Sequence, residues 1–347
     1  MIPPEKTRAV ARGLSAAFGV TEFEDIRMLT KGQSKSLVFR IVVRGSPYLL
    51  KIITRRYDQD TLQRLCTAMK AGAEAGLAPQ VWYSSIEDRV FITDFVEEAP
   101  FPLTEALIRI PAALRTLHAL APFPAVPDHL NTSCMFLMHK GPGLDAFLQS
   151  FQAGNMLPKS DTEELFALYA QLAAAYPYHA PDMVSSHNDL FKPDNMLFDG
   201  QRMWLVDWEA AFLNDRYADL AVVANLIVHN DADEQSYLQE YFGKKPDDYQ
   251  LARFLFMRQV AHTFYAMGFL LIGSSGKPVN QSESVPNAGD FQRGLWAGEV
   301  NLSDKDVKVV YGRVHLEQLL ENAQQARFKE ALKIVSDQPA TQLVRPE

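Results

Sequence analysis

The spacing of apolar positions changes twice along the chain. Val10, Leu14 and Phe18 recur at helical intervals within residues 5–18. The period then shortens: 26–29, 37–43 and 48–53 are short β-rich runs, and Gly45-Ser46-Pro47 punctuates the last two as a hairpin. A helix is expected next, with Leu62, Leu65, Cys66, Met69 and Ala73 on one face and Gly76 and Pro79 closing it. Two more strands are expected near 81–84 and 90–94. Residues 1–97 therefore predict a small lobe, an antiparallel sheet with an internal helix.

Beyond Pro100 the period is helical. Residues 105–120 predict a helix despite Pro111, and Ser160 followed by Glu163 has the pattern of a capping box opening a helix over 161–176. One strand-like interruption lies between 184 and 208, where 196–198 and 203–206 flank the turn signal Asp199-Gly200. Helices resume at about 215–229, 234–242, 249–272 and 312–335, while 273–304, rich in Gly, Ser, Pro and Asn, predicts a long irregular loop. The fold class is α+β: a sheet lobe over 1–97, then a large helical lobe over 98–347 that contains a buried hairpin.

Composition narrows the function. Of 347 residues, 47% are hydrophobic and 22% charged, enough to bury a sizeable core. A net charge of -8 argues against a broad nucleic-acid surface. Two cysteines, Cys66 and Cys134, have no metal-binding spacing and are expected as reduced core thiols. The N-terminus mixes acids and bases and has no signal-peptide pattern, and the apolar runs at 218–228 and 264–272 are too short to span a bilayer. The expectation is a soluble, cytoplasmic protein with neither a nucleic-acid nor a membrane partner. The sequence gives no indication of oligomeric state.

The chemistry concentrates in residues 185–219. Asn195 opens the hairpin and Asp207 closes it, so the two must lie near one another. Two oxygen donors so placed suit magnesium, which takes few protein ligands and keeps water and phosphate oxygens. Asp189 is left to hold a substrate hydroxyl. In the small lobe the turn at 30–36, with Gly32 and Ser34, can present N–H groups and hydroxyls to phosphates. Lys51 ends an apolar strand, where a lysine is costly to bury without an anionic partner.

His187-Asn188-Asp189, Asn195 and Asp207 together resemble the catalytic loop and metal aspartate of the aminoglycoside phosphotransferase and choline kinase superfamily. The resemblance covers most of the chain, the C-terminal quarter loosely. It implies a bilobal protein-kinase-like fold and transfer of the γ-phosphate of ATP, with Mg2+, to a hydroxyl of a small molecule. It further implies Asp189 as catalytic base, Asn195 and Asp207 as magnesium ligands, and Lys51 on the α- and β-phosphates. Backbone groups around Asp94–Val96 would read adenine, with Asp94 and Val96 at the hinge. His187 and Asp219 would support the catalytic loop.

The chain departs from the family in two places. Asp189 and Asn195 are six positions apart where the family has five, which leaves Asp194 as an alternative ligand. Lys192 faces either the γ-phosphate or solvent. The helix acid that should pair with Lys51 is absent at its usual place, so either Asp60 serves or the lysine is anchored differently. Only 208–214 separate Asp207 from the next helix, too short a segment for a peptide platform, which disfavours a protein kinase. A catalytically silent nucleotide-binding module is the reading from another class.

For the acceptor, His-Asn-Asp and Asp207-Trp208-Glu209 resemble choline and ethanolamine kinases. Glu209 would place a negative charge beside a cationic amino alcohol, and Tyr265 would face its ammonium, with plain helix core as the bland reading of that tyrosine. Aminoglycosides and sugars are the alternative acceptors.

Overall fold

The computed structural model describes residues 2–29, 36–126, 133–138, 141–178, 182–280 and 284–337. The chain divides into two compact units, Met1–Pro102 with Asp194–Ala211, and Leu103–Pro193 with Phe212–Glu347. With its antiparallel sheet and helical remainder, it has the protein-kinase-like fold.

The first unit is built on a five-stranded antiparallel sheet of β1 (Asp25–Met28), β2 (Leu37–Val43), β3 (Ser46–Ile52), β4 (Val81–Ser85) and β5 (Val90–Asp94), in the order β1-β2-β3-β5-β4. Arg44 (φ 51°) and Gly45 (φ 73°) turn β2 into β3, both left-handed as a tight hairpin of matching twist demands. Helix α1 (Thr7–Phe18) lays Ala9, Val10 and Leu14 on one sheet face against Phe39, Ile41, Leu50, Ile52 and Ile92. Strand alternation then turns Lys51, between buried Leu50 and Ile52, to the other face.

That face belongs to helix α2 (Gln59–Glu74) and to the hairpin of β7 (Met196–Phe198) and β8 (Met203–Leu205). Asp58 caps α2 by accepting from the Thr61 N–H at 2.7 Å. The hairpin reading of 196–206 holds: Met196 pairs with Leu205, Gly200 sits at φ 92°, and Asp199 accepts from the Gln201 and Arg202 N–H groups. The Leu205 N–H donates to Leu77 O at 2.7 Å, and the Leu77 N–H to Gly72 O at 2.8 Å, so the hairpin is stitched to the end of α2. This is why 194–211 groups with the N-terminal unit. Gly72 is needed here for close approach, since a Cβ would lie 2.6 Å from the Trp208 ring.

The second unit is helical: α3 (Leu103–His118), α4 (Pro142–Ala153), α5 (Lys159–Ala175), α6 (Arg216–Ile227), α7 (Asp231–Phe242), α8 (Asp248–Ser274), α9 (Ala288–Trp296), α10 (Lys305–Gln324) and α11 (Ala326–Ser336), with a two-stranded pair of β6 (Met183–Ser186) and β9 (Phe212–Asp215). Its axis is α8, 27 residues opened by a capping box of Asp247 and Gln250. By length and hydropathy α8 could cross a membrane, but 67% of its apolar window is buried inside the protein. A helix apolar all round is what a core helix requires.

Three local expectations change. Pro158, not Ser160, is the N-cap of α5, and Ser160 donates instead to Asp161 at 2.9 Å: the proline begins the helix early and leaves Ser160 inside its first turn. The expected loop 273–304 contains α9, capped by Asn287 and held by buried Phe291 and Leu295, a one-face pattern that Gly289 and Gly294 obscure. The last helix breaks at Gln325, whose ψ of 142° is extended.

Gly72→Ala is expected to destabilise the first unit by about 1–3 kcal/mol, because the added methyl must displace the buried Trp208 ring. Urea unfolding of the variant checks it; an unchanged midpoint contradicts the close packing described.

Candidate functional site

In the first unit, Lys51 is the centre. Its Nζ lies 2.8 Å from Asp207 Oδ1 and 2.8 Å from Glu209 Oε1. Glu209 also accepts a hydrogen bond from the Tyr57 hydroxyl, on the segment between β3 and α2. The acid that anchors Lys51 is therefore the Asp207–Glu209 turn; Asp60 lies in the first turn of α2 and is not in this cluster. The signal that could have found it is the spacing Asp-x-Glu directly after the hairpin.

Burial works against the charge on Lys51, but the two carboxylates outweigh it and raise the pKa above its ordinary 10.5. Burial and the bond to Glu209 push the Tyr57 hydroxyl up to about 12. Asp207 holds a left-handed backbone, φ 66° and ψ 57°, at the join of hairpin and turn. That conformation costs a non-glycine residue about 1–2 kcal/mol and persists where surrounding contacts impose it.

Asn195 ends a 3-10 turn, Pro193–Asn195, and is buried at 2% exposure, while Asp194 beside it is exposed. Asn195 O accepts from the Val206 N–H at 3.1 Å, which sets Asn195 next to the residue preceding Asp207. The pair offers a carboxylate and an amide oxygen, and the carboxylate faces the Lys51 ammonium at 2.8 Å. This donor set fits magnesium. Among the described residues no group of three or more His, Cys, Asp or Glu is arranged to hold a metal.

Gly32 and Ser34 lie outside the described residues. Asp94 ends β5 with its N–H donating to Gln80 O at 2.9 Å and its carboxylate accepting from the Trp82 indole at 2.7 Å. Val96 follows two residues on, outside the strand and half-buried.

In the second unit the organising group is Asp219, in the first turn of α6 and 1% exposed. Its carboxylate accepts from the His187 N–H at 2.7 Å and from the Asn188 N–H at 2.8 Å, and His118 Nε2 lies 3.4 Å away. Burial would raise the Asp219 pKa; the His118 contact, the His187 charge and the His187 backbone bond together hold it below 3.8. His118 is oriented in turn by the Tyr241 hydroxyl at 2.7 Å. Asn188, left-handed at φ 66°, accepts from the Asn214 amide at 2.6 Å. Sequence reasoning missed His118 and Asn214, which lie far from the loop in the chain.

One turn before Asp219, Asp215 caps α6 through the Tyr217 N–H at 3.0 Å, accepts from the Tyr176 hydroxyl at 2.9 Å and pairs with the buried Arg253 guanidinium. Asp189 follows Asn188 on this braced loop, with Lys192 Nζ 3.9 Å from its Oδ2. Phe191 packs on Tyr265 (centroids 5.4 Å apart) and Phe269 (5.6 Å). Tyr265 is 6% exposed, and burial keeps its hydroxyl protonated, with Asp189 among the charges acting on it. The structure thus brings Tyr265 to the loop that carries Asp189, and puts Glu209 with Lys51 and Tyr57.

A family model described as the phosphotransferase enzyme family matches residues 25–255. No curated relative matches the sequence. Among solved structures, a choline/ethanolamine kinase family protein from Mesorhizobium loti is 19% identical, with a TM-score of 0.63, covering 95% of this chain and 99% of its own. A choline kinase from Cryptosporidium parvum Iowa II is 12% identical, with a TM-score of 0.61 and the same coverages. A streptomycin–ATP–APH(2")-IIa ternary complex is 15% identical, with a TM-score of 0.52, covering 79% of this chain and 92% of its own. At these identities the likeness is one of fold.

Asp219→Asn is expected to cost about 1.5–3 kcal/mol at neutral pH through weakened bonds to the two loop N–H groups. A carboxylate whose pKa falls on folding gives stability that is present above the unfolded value and lost as pH drops. Wild-type stability should therefore fall as pH passes below 3.8, and the variant's should fall less. Unfolding followed by circular dichroism at several pH values checks both; parallel pH curves contradict the assignment.

Proposed function

This chain belongs to the phosphotransferase enzyme family, and from that premise we propose that it transfers the γ-phosphoryl group of ATP to the hydroxyl of a small amino alcohol. The observation that carries the reading is the ion pair of Lys51 with Asp207. A lysine on a sheet face and an aspartate at the end of a hairpin form a phosphate ligand and a metal ligand held ready against each other.

Lys51 would neutralise the α- and β-phosphates, leaving Asp207 for the metal. Asp207 and Asn195 would hold magnesium, which when bound screens the charge of the phosphates and orients them. The turn at 30–36, with Gly32 and Ser34, would contribute phosphate contacts, and the segment from Asp94 to Val96 would receive the base. Since the Asp94 N–H is bonded to Gln80, the base-reading groups are expected from Phe95 and Val96.

Asp189 would orient the acceptor hydroxyl and take its proton late in a loose transition state, help worth about two to four powers of ten in rate. Asp219 and His187 would act through the loop backbone. Lys192, near Asp189, would meet the transferring phosphoryl group. Buried thiols at Cys66 and Cys134 accord with a cytoplasmic enzyme.

An amino alcohol is favoured by the Asp189 carboxylate together with the aromatic rings near it, where Phe191, Tyr265 and Phe269 cluster. A ring facing an ammonium contributes about 0.5–2 kcal/mol. Glu209 would join the acceptor side only by leaving Lys51 and Tyr57. Aminoglycoside and sugar acceptors are the competing outcomes of the assay below.

Asp189→Ala is expected to lower turnover by two to four powers of ten while Mg·ATP affinity is kept. Asp207→Ala is expected to lose magnesium-dependent nucleotide binding, as read by calorimetry. ADP release measured in parallel with choline, ethanolamine, kanamycin and simple sugars tests the acceptor. Activity confined to kanamycin or sugars removes the amino-alcohol reading, and near-normal turnover in Asp189→Ala removes Asp189 as base.

A further inference from the structure

No step of the proposed phosphotransfer uses Tyr57, yet its hydroxyl ends on the cluster around Lys51. The two oxygens of Glu209 are divided: Oε1 lies 2.8 Å from Lys51 Nζ, and Oε2 accepts from the Tyr57 hydroxyl. Tyr57 stands on the segment between β3 and α2, and Glu209 on the turn after β8, 152 residues further along the chain.

The segment that carries Tyr57 is itself clamped. Arg89, left-handed at φ 56° between β4 and β5, reaches back across it. Its Nη1 donates to Arg55 O at 2.9 Å and its Nη2 to Tyr57 O at 3.1 Å, while its own carbonyl accepts from the Ile53 N–H at 3.0 Å. The Tyr57 N–H turns back to Arg55 O at 3.1 Å, and the Arg55 guanidinium lies 5.1 Å from the centre of the Tyr57 ring. The main chain from 53 to 57 is therefore tied to the sheet, and the tyrosine has two side-chain torsions left to settle.

Glu209 needs such a hold. A glutamate side chain is among the costliest to order, and one facing a lysine with a single contact can swing into water. The half-buried tyrosine supplies a second, charge-assisted bond from a fixed base. Burial and that bond push the Tyr57 hydroxyl up to about 12, so at neutral pH it keeps its proton and remains a donor.

We propose that Tyr57 is a positioning residue for Lys51: its hydroxyl holds Glu209 in the orientation that keeps the ammonium in place when Asp207 turns to the metal. The proposal rests on the phosphotransfer reading and adds to it a residue that acts through Glu209. Removing the hydroxyl and removing the Glu209 charge therefore break one linkage, and their effects do not add.

Tyr57→Phe, Glu209→Gln and the double variant are compared with the wild type in two measurements on the full chain. The first uses no nucleotide: the rate at which acetic anhydride acetylates Lys51, read by peptide mass spectrometry against the other lysines. A Glu209 that leaves the ammonium lets it lose its proton more readily, so the Lys51 rate is expected to rise about threefold or more in Tyr57→Phe. The second is Mg·ATP affinity by calorimetry together with ADP release. Tyr57→Phe is expected to weaken Mg·ATP binding and raise the KM for ATP by about three- to tenfold, the loss of one hydrogen bond, with the KM for the acceptor unmoved. In both measurements the double variant is expected to match Glu209→Gln. An unchanged or lowered Lys51 rate in Tyr57→Phe overturns the proposal. So do summed effects in the double variant, or a lower melting temperature in Tyr57→Phe with ATP affinity unchanged, which marks a structural role alone. A wild-type chain that binds no Mg·ATP removes the phosphotransfer reading, while the Lys51 rates still decide whether Tyr57 holds Glu209 on the lysine, so the two failures are told apart.

Discussion

The first unit depends on how one lysine is shared. Lys51 stands on a sheet face with Asp207 and Glu209 each 2.8 Å away, and neither acid comes from the helix that follows its own strand. Strand alternation sets the side of the sheet, and the hairpin stitched to Leu77 sets the height of the acids. The close contact of Gly72 with Trp208 fixes the turn between them. An unpaired buried charge would cost several kcal/mol, so these three packing arrangements must agree before the ammonium can sit where it does. Tyr57 adds a fourth constraint, tying the segment after β3 to Glu209.

The second unit solves a different problem with the same chemistry. The loop that carries Asp189 follows β6, and the His187 and Asn188 N–H groups would otherwise be buried without acceptors. Asp219 accepts both, while Asp215, on the facing side of the helix start, holds Tyr176 and Arg253. Two buried carboxylates one turn apart therefore tie a loop and two helices to the start of α6. Asn188, left-handed at φ 66°, redirects the chain directly after these two N–H groups, and its side chain is held by the Asn214 amide.

Much of this was legible in the residues because it is local. The five strands, the hairpin at Asp199-Gly200 and the α2 face around Leu62, Leu65 and Cys66 follow from short-range periodicity and turn chemistry. The placing of Asn195 near Asp207 followed from hairpin geometry alone. What escaped is non-local or masked by neighbours. His118 and Asn214 reach the loop from positions 101 residues before Asp219 and 26 after Asn188, distances no spacing rule covers. Helix α9 escaped because its glycines outweighed the Phe291–Leu295 face. The Ser160–Glu163 pattern misled because a preceding proline starts a helix more firmly than a serine two residues on.

The sharing of Lys51 also bears on how charge is managed at the proposed nucleotide site. One ammonium between two carboxylates leaves the cluster a single formal charge negative, the sign that favours arrival of a cation. Under the proposed function, Lys51 exchanges a carboxylate for phosphate oxygens and Asp207 exchanges the ammonium for the metal. Glu209 remains, bonded to Tyr57 and within reach of Lys51. No charged group passes through a state without a partner, and that matters most for groups already partly removed from water. A glutamate that stays with the lysine in this way would perform the anchoring that the missing helix acid left open. Under that proposal the aspartate can be given up to the metal because the glutamate two residues on keeps the lysine in place.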